Sequence, residues 1–175
     1  MSSFEKLFGA EMILIDLSYF IFHNYYAKKK YFEIQKKSTD DLIHNQEFLD
    51  VFSNFDKKLI EIKKKLKLKK DIPVIFAKDC MRCNIWRNSL FPDYKKSRKV
   101  DNEVGSFFKY TYSNIIDKYN YIDCNFCEAD DIIGVITNNF KKVNNANHIY
   151  IITGDHDYMQ LFDDDGFIRI YDLKC

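Results

Sequence analysis

Apolar positions along this chain alternate between short continuous runs and longer stretches of helical period. Met12-Ile13-Leu14-Ile15, Val74-Ile75-Phe76-Ala77 and Ile149-Tyr150-Ile151-Ile152 are strand-length runs rich in β-branched and aromatic residues, and Phe167 to Tyr171 reads as a last strand. Leu17 to Tyr26 is apolar and aromatic and opens a helix, with Asp16 at its start. Phe48, Leu49, Phe52, Phe55, Leu59, Ile62 and Leu66 recur at steps of three and four, which predicts one amphipathic helix of about five turns. Asp71-Ile72-Pro73 ends it, because proline cannot continue a helix. Phe108, Tyr112, Ile115, Ile116 and Tyr119 mark another helix, and Ala129, Ile132, Ile133, Ile136 and Phe140 a third. Asp157 to Phe162 reads as a short helix. Residues 28–46 are polar and weakly periodic, the pattern of a loop or mobile insertion. Cys80 to Asn102 is basic, aromatic and equally weak in period. Strands alternating with helices predict an α/β fold of three layers around a central, mostly parallel sheet.

Length and composition narrow the class. With 175 residues, residues 1–175 form a single domain, and 46% hydrophobic content supplies a core. No apolar run reaches the roughly 18 residues that a membrane span needs, and the N-terminus lacks the charged and apolar regions of a secretory signal. An intracellular protein is expected. The net charge of +1 hides segregation. Lys57 to Lys70 carries eight lysines against Glu61, and Lys78 to Lys99 carries seven basic residues against Asp79 and Asp93. Such faces are either ordinary solvated surface or a grip on phosphates.

The acids gather elsewhere. Asp16, Asp79, the Glu128-Ala129-Asp130-Asp131 cluster and Asp155-His156-Asp157 each follow an apolar run. In a parallel sheet the strand ends share one edge, where ligands bind. Acids at a helix start can simply complement its dipole or cap it. Six or seven carboxylates at one edge repel, however, and stay ionised only with cations among them. Hard oxygen ligands point to Mg²⁺ or Mn²⁺ and to phosphoryl transfer. Five cysteines form two CxxC pairs, Cys80/Cys83 and Cys124/Cys127, with Cys175 left over. Their spacing is about twice that of ordinary paired-CxxC zinc sites and no knuckle glycine adjoins them, so reduced, part-buried thiols are the expectation.

At this point the chain resembles the 5′ nucleases, which include flap endonucleases, the 5′–3′ exonuclease domain of bacterial DNA polymerase I and phage-type RNase H. The matching pieces are Ile13-Leu14-Ile15-Asp16, Phe76-Ala77-Lys78-Asp79, Glu128-Ala129-Asp130-Asp131 and Ile152-Thr153-Gly154-Asp155-His156-Asp157. Trp86-Arg87 and Phe91-Pro92-Asp93-Tyr94-Lys95-Lys96-Ser97-Arg98 resemble the basic segment that arches over the family's active site. Order and spacing fit the phage-type RNase H best. The resemblance implies a PIN-like fold with an arch-like insertion over residues 80–102. It also implies two Mg²⁺ or Mn²⁺ ions, with Asp16, Asp79, Glu128 and Asp130 serving the first, Asp155 and Asp157 the second, and Asp131 beside them. It places Lys95 and Arg98 on the scissile phosphate, and Arg82, Arg87, Lys96 and Lys99 among the nucleic-acid contacts. His156 is read as pointing away from the metals.

The substrate implied is DNA or an RNA–DNA hybrid with a 5′ end or flap, cut during replication or repair. A PIN-like ribonuclease for single-stranded RNA, or a nucleic-acid-binding module weakened in catalysis, are the alternatives. Family members continue past this point with further aspartates and a helix-hairpin-helix that grips duplex. A minimal or split nuclease, with a separate chain supplying that grip, or a fragment, is therefore expected, with a second metal site that binds weakly.

Overall fold

The computed structural model describes residues 11–97, 101–143, 148–163 and 165–173. Five strands form one sheet: β1 (Met12–Asp16), β2 (Val74–Lys78), β3 (Tyr121–Asp123), β4 (Ile149–Ile152) and β5 (Ile168–Tyr171). Their order is β3-β2-β1-β4-β5 and every pairing is parallel. The chain runs outward from β1 through β2 to β3, then returns to place β4 on the other side of β1. The strand order therefore reverses between β1 and β4, the place where open α/β sheets form a crevice beyond their carboxyl ends.

Alternation along β1 divides the core. Ile13 and Ile15 face the layer built by α1 (Leu17–Ile34), α2 (Gln46–Ser53), α3 (Asp56–Lys65) and, after the one-turn helix α4 (Arg87–Leu90), α5 (Asn102–Asn114). Met12 and Leu14 face the opposite layer, built by α6 (Ala129–Val143) and the 3₁₀ segment His156–Leu161. All five residues of β1 are buried, as a strand covered on both faces requires.

Four features depart from the pattern read in the sequence. First, α1 continues to Ile34, well into the polar stretch expected to be loop. Tyr25 and Phe32 hold it down: each is at most 1% exposed, and Phe32 meets Phe48 edge-on at 5.4 Å. Lys28, within the helix, and Lys37, in the loop that follows it, lie over the Phe32 ring at 5.2 and 5.3 Å and cover this face. Second, the single long helix expected from Phe48 to Leu66 is two helices, α2 and α3. Asn54 is extended and its side chain accepts from the Asp56 N–H at 2.7 Å, while the Phe55 N–H donates to Tyr119 Oη at 2.7 Å. Those bonds replace the helical ladder and turn Phe55 into the core. Third, the apolar run expected just before the Glu128 cluster forms its strand earlier, at Tyr121–Asp123, and Cys124 to Cys127 is a tight turn. α5 also begins earlier than its apolar residues suggested, at Asn102, because Asp101 caps it by accepting from Glu103 and Val104 N–H.

Candidate active site

The four acidic motifs reach one place. Asp16 ends β1 and caps α1, accepting the Tyr19 N–H at 3.0 Å. Asp79 follows β2; it accepts from Ser18 Oγ and from the Ala129 N–H at 2.6 Å, so the first residue of α6 is pinned to the end of β2. Glu128 precedes α6 and Asp130 lies in its first turn. Asp155 follows β4 and caps the 3₁₀ segment through the Asp157 N–H at 3.0 Å. Asp16, Asp79, Glu128, Asp130, Asp155 and Lys95 line one cavity of about 350 Å³ at the carboxyl ends of the strands. Its floor needs Gly154: a Cβ there would meet Tyr19 Cε2 at 2.4 Å, and that ring is anchored because its hydroxyl accepts the Leu173 N–H at 2.8 Å.

Electrostatics differ sharply among these acids. Burial, reinforced by the charges of Asp79 and Asp155, raises Asp16 to about 6, against bonds from Tyr19 and from Tyr158 Oη at 3.2 Å. Burial likewise raises Asp130, with Asp131 and Glu128 adding to it and Arg87 opposing. Glu128 is only 5% exposed and receives three donors: Arg87 Nη1 at 2.9 Å, Tyr94 Oη at 2.8 Å and Lys95 Nζ. The acids are thus partly neutralised by side-chain cations that come from the loop beyond β2.

The remaining residues picked from the sequence fall in different places. Asp131 does not line the cavity. Burial alone would raise it, but the Glu128 N–H at 3.0 Å, the forked Arg87 guanidinium at 2.9 Å to each oxygen and Trp86 Nε1 at 3.0 Å hold it below the usual carboxylate range. Glu128, Asp130 and Asp131 nevertheless offer oxygens within 4.8 Å of one another, the one such ligand trio among the described residues. Asp157 is exposed and lies off the cavity lining, whereas His156, expected to face away, lines it. Arg87, expected among the nucleic-acid contacts, forks onto Asp131 and also donates to Glu128. Lys95 adopts a left-handed backbone (φ 54°) within the turn 92–97. Lys96 is exposed and pairs with Asp93 at 2.9 Å. Arg82 is exposed and borders a neighbouring cavity of about 450 Å³ with Phe22, Tyr26 and Lys95. Arg98 and Lys99 lie outside the described residues, as does Cys175. Sequence reasoning passed over Ser18, Tyr94 and Tyr158, the hydroxyls that seat Asp79, Glu128 and Asp16. Tyr94 stood inside the quoted basic motif, and its spacing alone gave no sign of its partner.

Comparison with known proteins agrees with this geometry. The family model for the 5′-3′ exonuclease, N-terminal resolvase-like domain, matches residues 11–174. A 5′-3′ exonuclease of Mycoplasmopsis pulmonis is 30% identical over 161 residues, which are 90% of this chain and 47% of that protein. A DNA polymerase I of Caldicellulosiruptor bescii is 35% identical over 91 residues, half of this chain and 10% of that one. Among solved structures, the T5 D15 protein co-crystallised with metal ions superposes with a TM-score of 0.60 at 15% identity, over 94% of this chain and 55% of that one. The bacteriophage T5 D15 flap endonuclease in a pseudo-enzyme-product complex with DNA and metal ions gives 0.58 at 14% identity, over the same shares. The chain belongs to the 5′–3′ exonuclease family, and it spans about half the length of the exonuclease relative that it matches.

Proposed function

We propose that this chain carries the catalytic centre of a divalent-metal-dependent 5′ nuclease acting on DNA or RNA–DNA with a 5′ end or flap. One observation carries the proposal: carboxylates from the ends of β1, β2 and β4 and from the start of α6, with Lys95, line a single open cavity. Hard oxygen donors fit Mg²⁺ or Mn²⁺, and the seating of Arg87 and Lys95 on Glu128 indicates that this cluster gathers positive charge. Asp16, Asp79, Glu128 and Asp130 would hold one ion and Asp155 would contribute to a second. Asp157 would reach it only by rearrangement, consistent with a weaker second site. Ions held there would supply an activated water and charge stabilisation at the attacking and leaving oxygens. Lys95 leaves Glu128 for the scissile phosphate and neutralises it. Tyr94 and Arg87 keep Glu128 oriented meanwhile, and Tyr158 and the Tyr19 N–H keep Asp16 oriented.

The deciding experiment compares Mg²⁺-dependent cleavage of a 5′-flap DNA, an RNA–DNA hybrid and single-stranded RNA by the unaltered chain and by Asp79→Ala and Asp155→Ala. Cleavage of the 5′-ended substrates should fall by about two orders of magnitude or more in both variants, roughly 3 kcal/mol of barrier. Turnover kept within about tenfold in both, or a preference for single-stranded RNA, contradicts the proposal.

A further inference from the structure

We propose that Cys124 and Cys127 form a reversible oxidation site, a dithiol that peroxide closes to a disulfide and whose closure acts on the carboxylate centre. The two residues are the ends of a four-residue turn between β3 and α6, in which the Cys127 N–H donates to the Cys124 carbonyl at 3.2 Å. The ends of such a turn lie within about 7 Å of each other, close to the separation that a disulfide spans. The two thiols are free and hydrogen-bonded to each other. The other pair is arranged differently: Cys83 Sγ meets Asn84 Oδ1 at 3.4 Å from the 3₁₀ turn Arg82–Asn84. Phe126, the third residue of the turn, takes φ 70°, where glycine is the usual residue, although its ring is exposed. The backbone holds it there, with the Trp86 N–H donating to the Phe126 carbonyl at 2.9 Å.

Cys124 is exposed and borders a cavity of about 450 Å³ with Lys78 and Tyr112, whereas Cys127 is half-buried. A small neutral oxidant therefore reaches Cys124 first. Its sulfur, once deprotonated, attacks one oxygen of hydrogen peroxide; the O–O bond breaks, hydroxide leaves and a sulfenic acid forms. The Cys127 thiol then loses its proton to solvent and its sulfur attacks that of Cys124, breaking the S–O bond and releasing a second hydroxide. The two protons and two hydroxides make water, so two thiols and one peroxide give one disulfide and two waters. Closing the bond draws the sulfurs nearer than their hydrogen bond and shifts the turn. The Cys127 carbonyl accepts the Cys80 N–H at 2.9 Å, just past Asp79, and Glu128 follows Cys127 directly. The Ala129 N–H in turn donates to Asp79 at 2.6 Å. Movement of the turn thus reaches Asp79 and Glu128, two acids of the cavity, through the backbone.

The test treats the full reduced chain with hydrogen peroxide and then with dithiothreitol. Peroxide should lower the mass by two hydrogens, and trypsin should place that loss on the single peptide 119–141, which carries both cysteines. Mg²⁺-dependent cleavage of flap DNA should fall by at least about tenfold in the oxidised chain and return with dithiothreitol. Cys124→Ser, at an exposed position, should show no such mass loss and should keep its turnover through the same treatment. The effect on cleavage rests on the nuclease reading, but the peptide mass does not, so failure of the one is told apart from failure of the other. Peroxide that leaves the mass unchanged, or that adds oxygen to Cys124 without removing the two hydrogens, overturns the site. So does a bond that joins two tryptic peptides through Cys80 or Cys83. A disulfide mapped to 119–141 with turnover equal to that of the reduced chain overturns its action on the carboxylate centre, as does an equal loss of turnover in Cys124→Ser.

Discussion

Glu128 shows at the scale of one residue how this centre is balanced. It is nearly buried, and in place of solvent it has Arg87, Tyr94 and Lys95. Such a carboxylate is stable only while its donors stay, and Lys95 is the donor that the proposed reaction moves. Lys95→Ala should therefore separate two quantities: Mg²⁺ affinity should rise severalfold, because a competing cation is gone, while turnover falls by about tenfold to a thousandfold for want of charge at the phosphate. Calorimetric titration and single-turnover cleavage measure the two. A fall in both would show that Lys95 helps to hold the ion instead of competing with it.

Between residues and the whole stand the breaks and caps that shape each element. The α2–α3 break depends on Tyr119, whose hydroxyl accepts the Phe55 N–H at 2.7 Å and whose ring stacks on Phe55 at 5.2 Å. Tyr119→Phe should cost about 1 kcal/mol, and Phe55→Ala, which empties a fully buried ring site, about 3 to 5 kcal/mol, both read from urea unfolding. Equal losses would mean that the hydroxyl, and not the packing, fixes the break. Asp163 plays the matching part before β5. It accepts the Phe167 and Ile168 N–H groups at 3.0 and 3.3 Å and pairs with Lys141 at 3.0 Å. Its slight burial works against ionisation, but these donors outweigh it and hold Asp163 below the usual carboxylate range. A depressed acid adds stability above its unfolded value, near pH 4, and loses it as the pH falls through the lower folded value. Asp163→Asn should accordingly lower the melting temperature by about 2 to 4 °C at neutral pH, with the gap closing in strong acid. A gap that persists at pH 2 would assign the effect to something other than this charge.

For the whole molecule the question is how a basic loop and an acidic cavity coexist. The loop from Arg82 to Ser97 is held to the sheet edge chiefly by charged contacts: Arg87 and Lys95 on Glu128, and Arg87 on Asp131; of its apolar residues Ile85 is the buried one among the described residues. Salt weakens such contacts. Trypsin should cut this segment first, at the exposed Lys96, faster at high salt, and a flap DNA should protect it. First cleavage confined to the Lys57–Lys70 face would remove the arch-like role proposed for this loop. Binding of that DNA should itself be mainly phosphate neutralisation, with log K falling by about 0.9 per contacted phosphate per decade of salt. A flat salt dependence would place the affinity in base or apolar contacts.

Part of this was legible in the chain alone. Runs of β-branched residues favour strands, so β1, β2 and β4 followed directly from the local pattern, β1 and β4 being buried throughout. The acids following those runs had to share an edge once the sheet was parallel, because parallel strands place their carboxyl ends on one side. Pairings between distant segments were not legible. Nothing local in the sequence shows that the Arg87 fork meets Asp131 across 44 positions. Lys28 looked like loop because its cover of Phe32 exists only after α1 and α2 pack. The two CxxC pairs are far apart in sequence, and only the β2–β3 pairing sets the Cys80 backbone against that of Cys127. Local pattern determines which segments become strands and which ends carry charge; only the tertiary structure decides which charge each side chain meets, because that depends on contacts whose sequence separation no periodicity records.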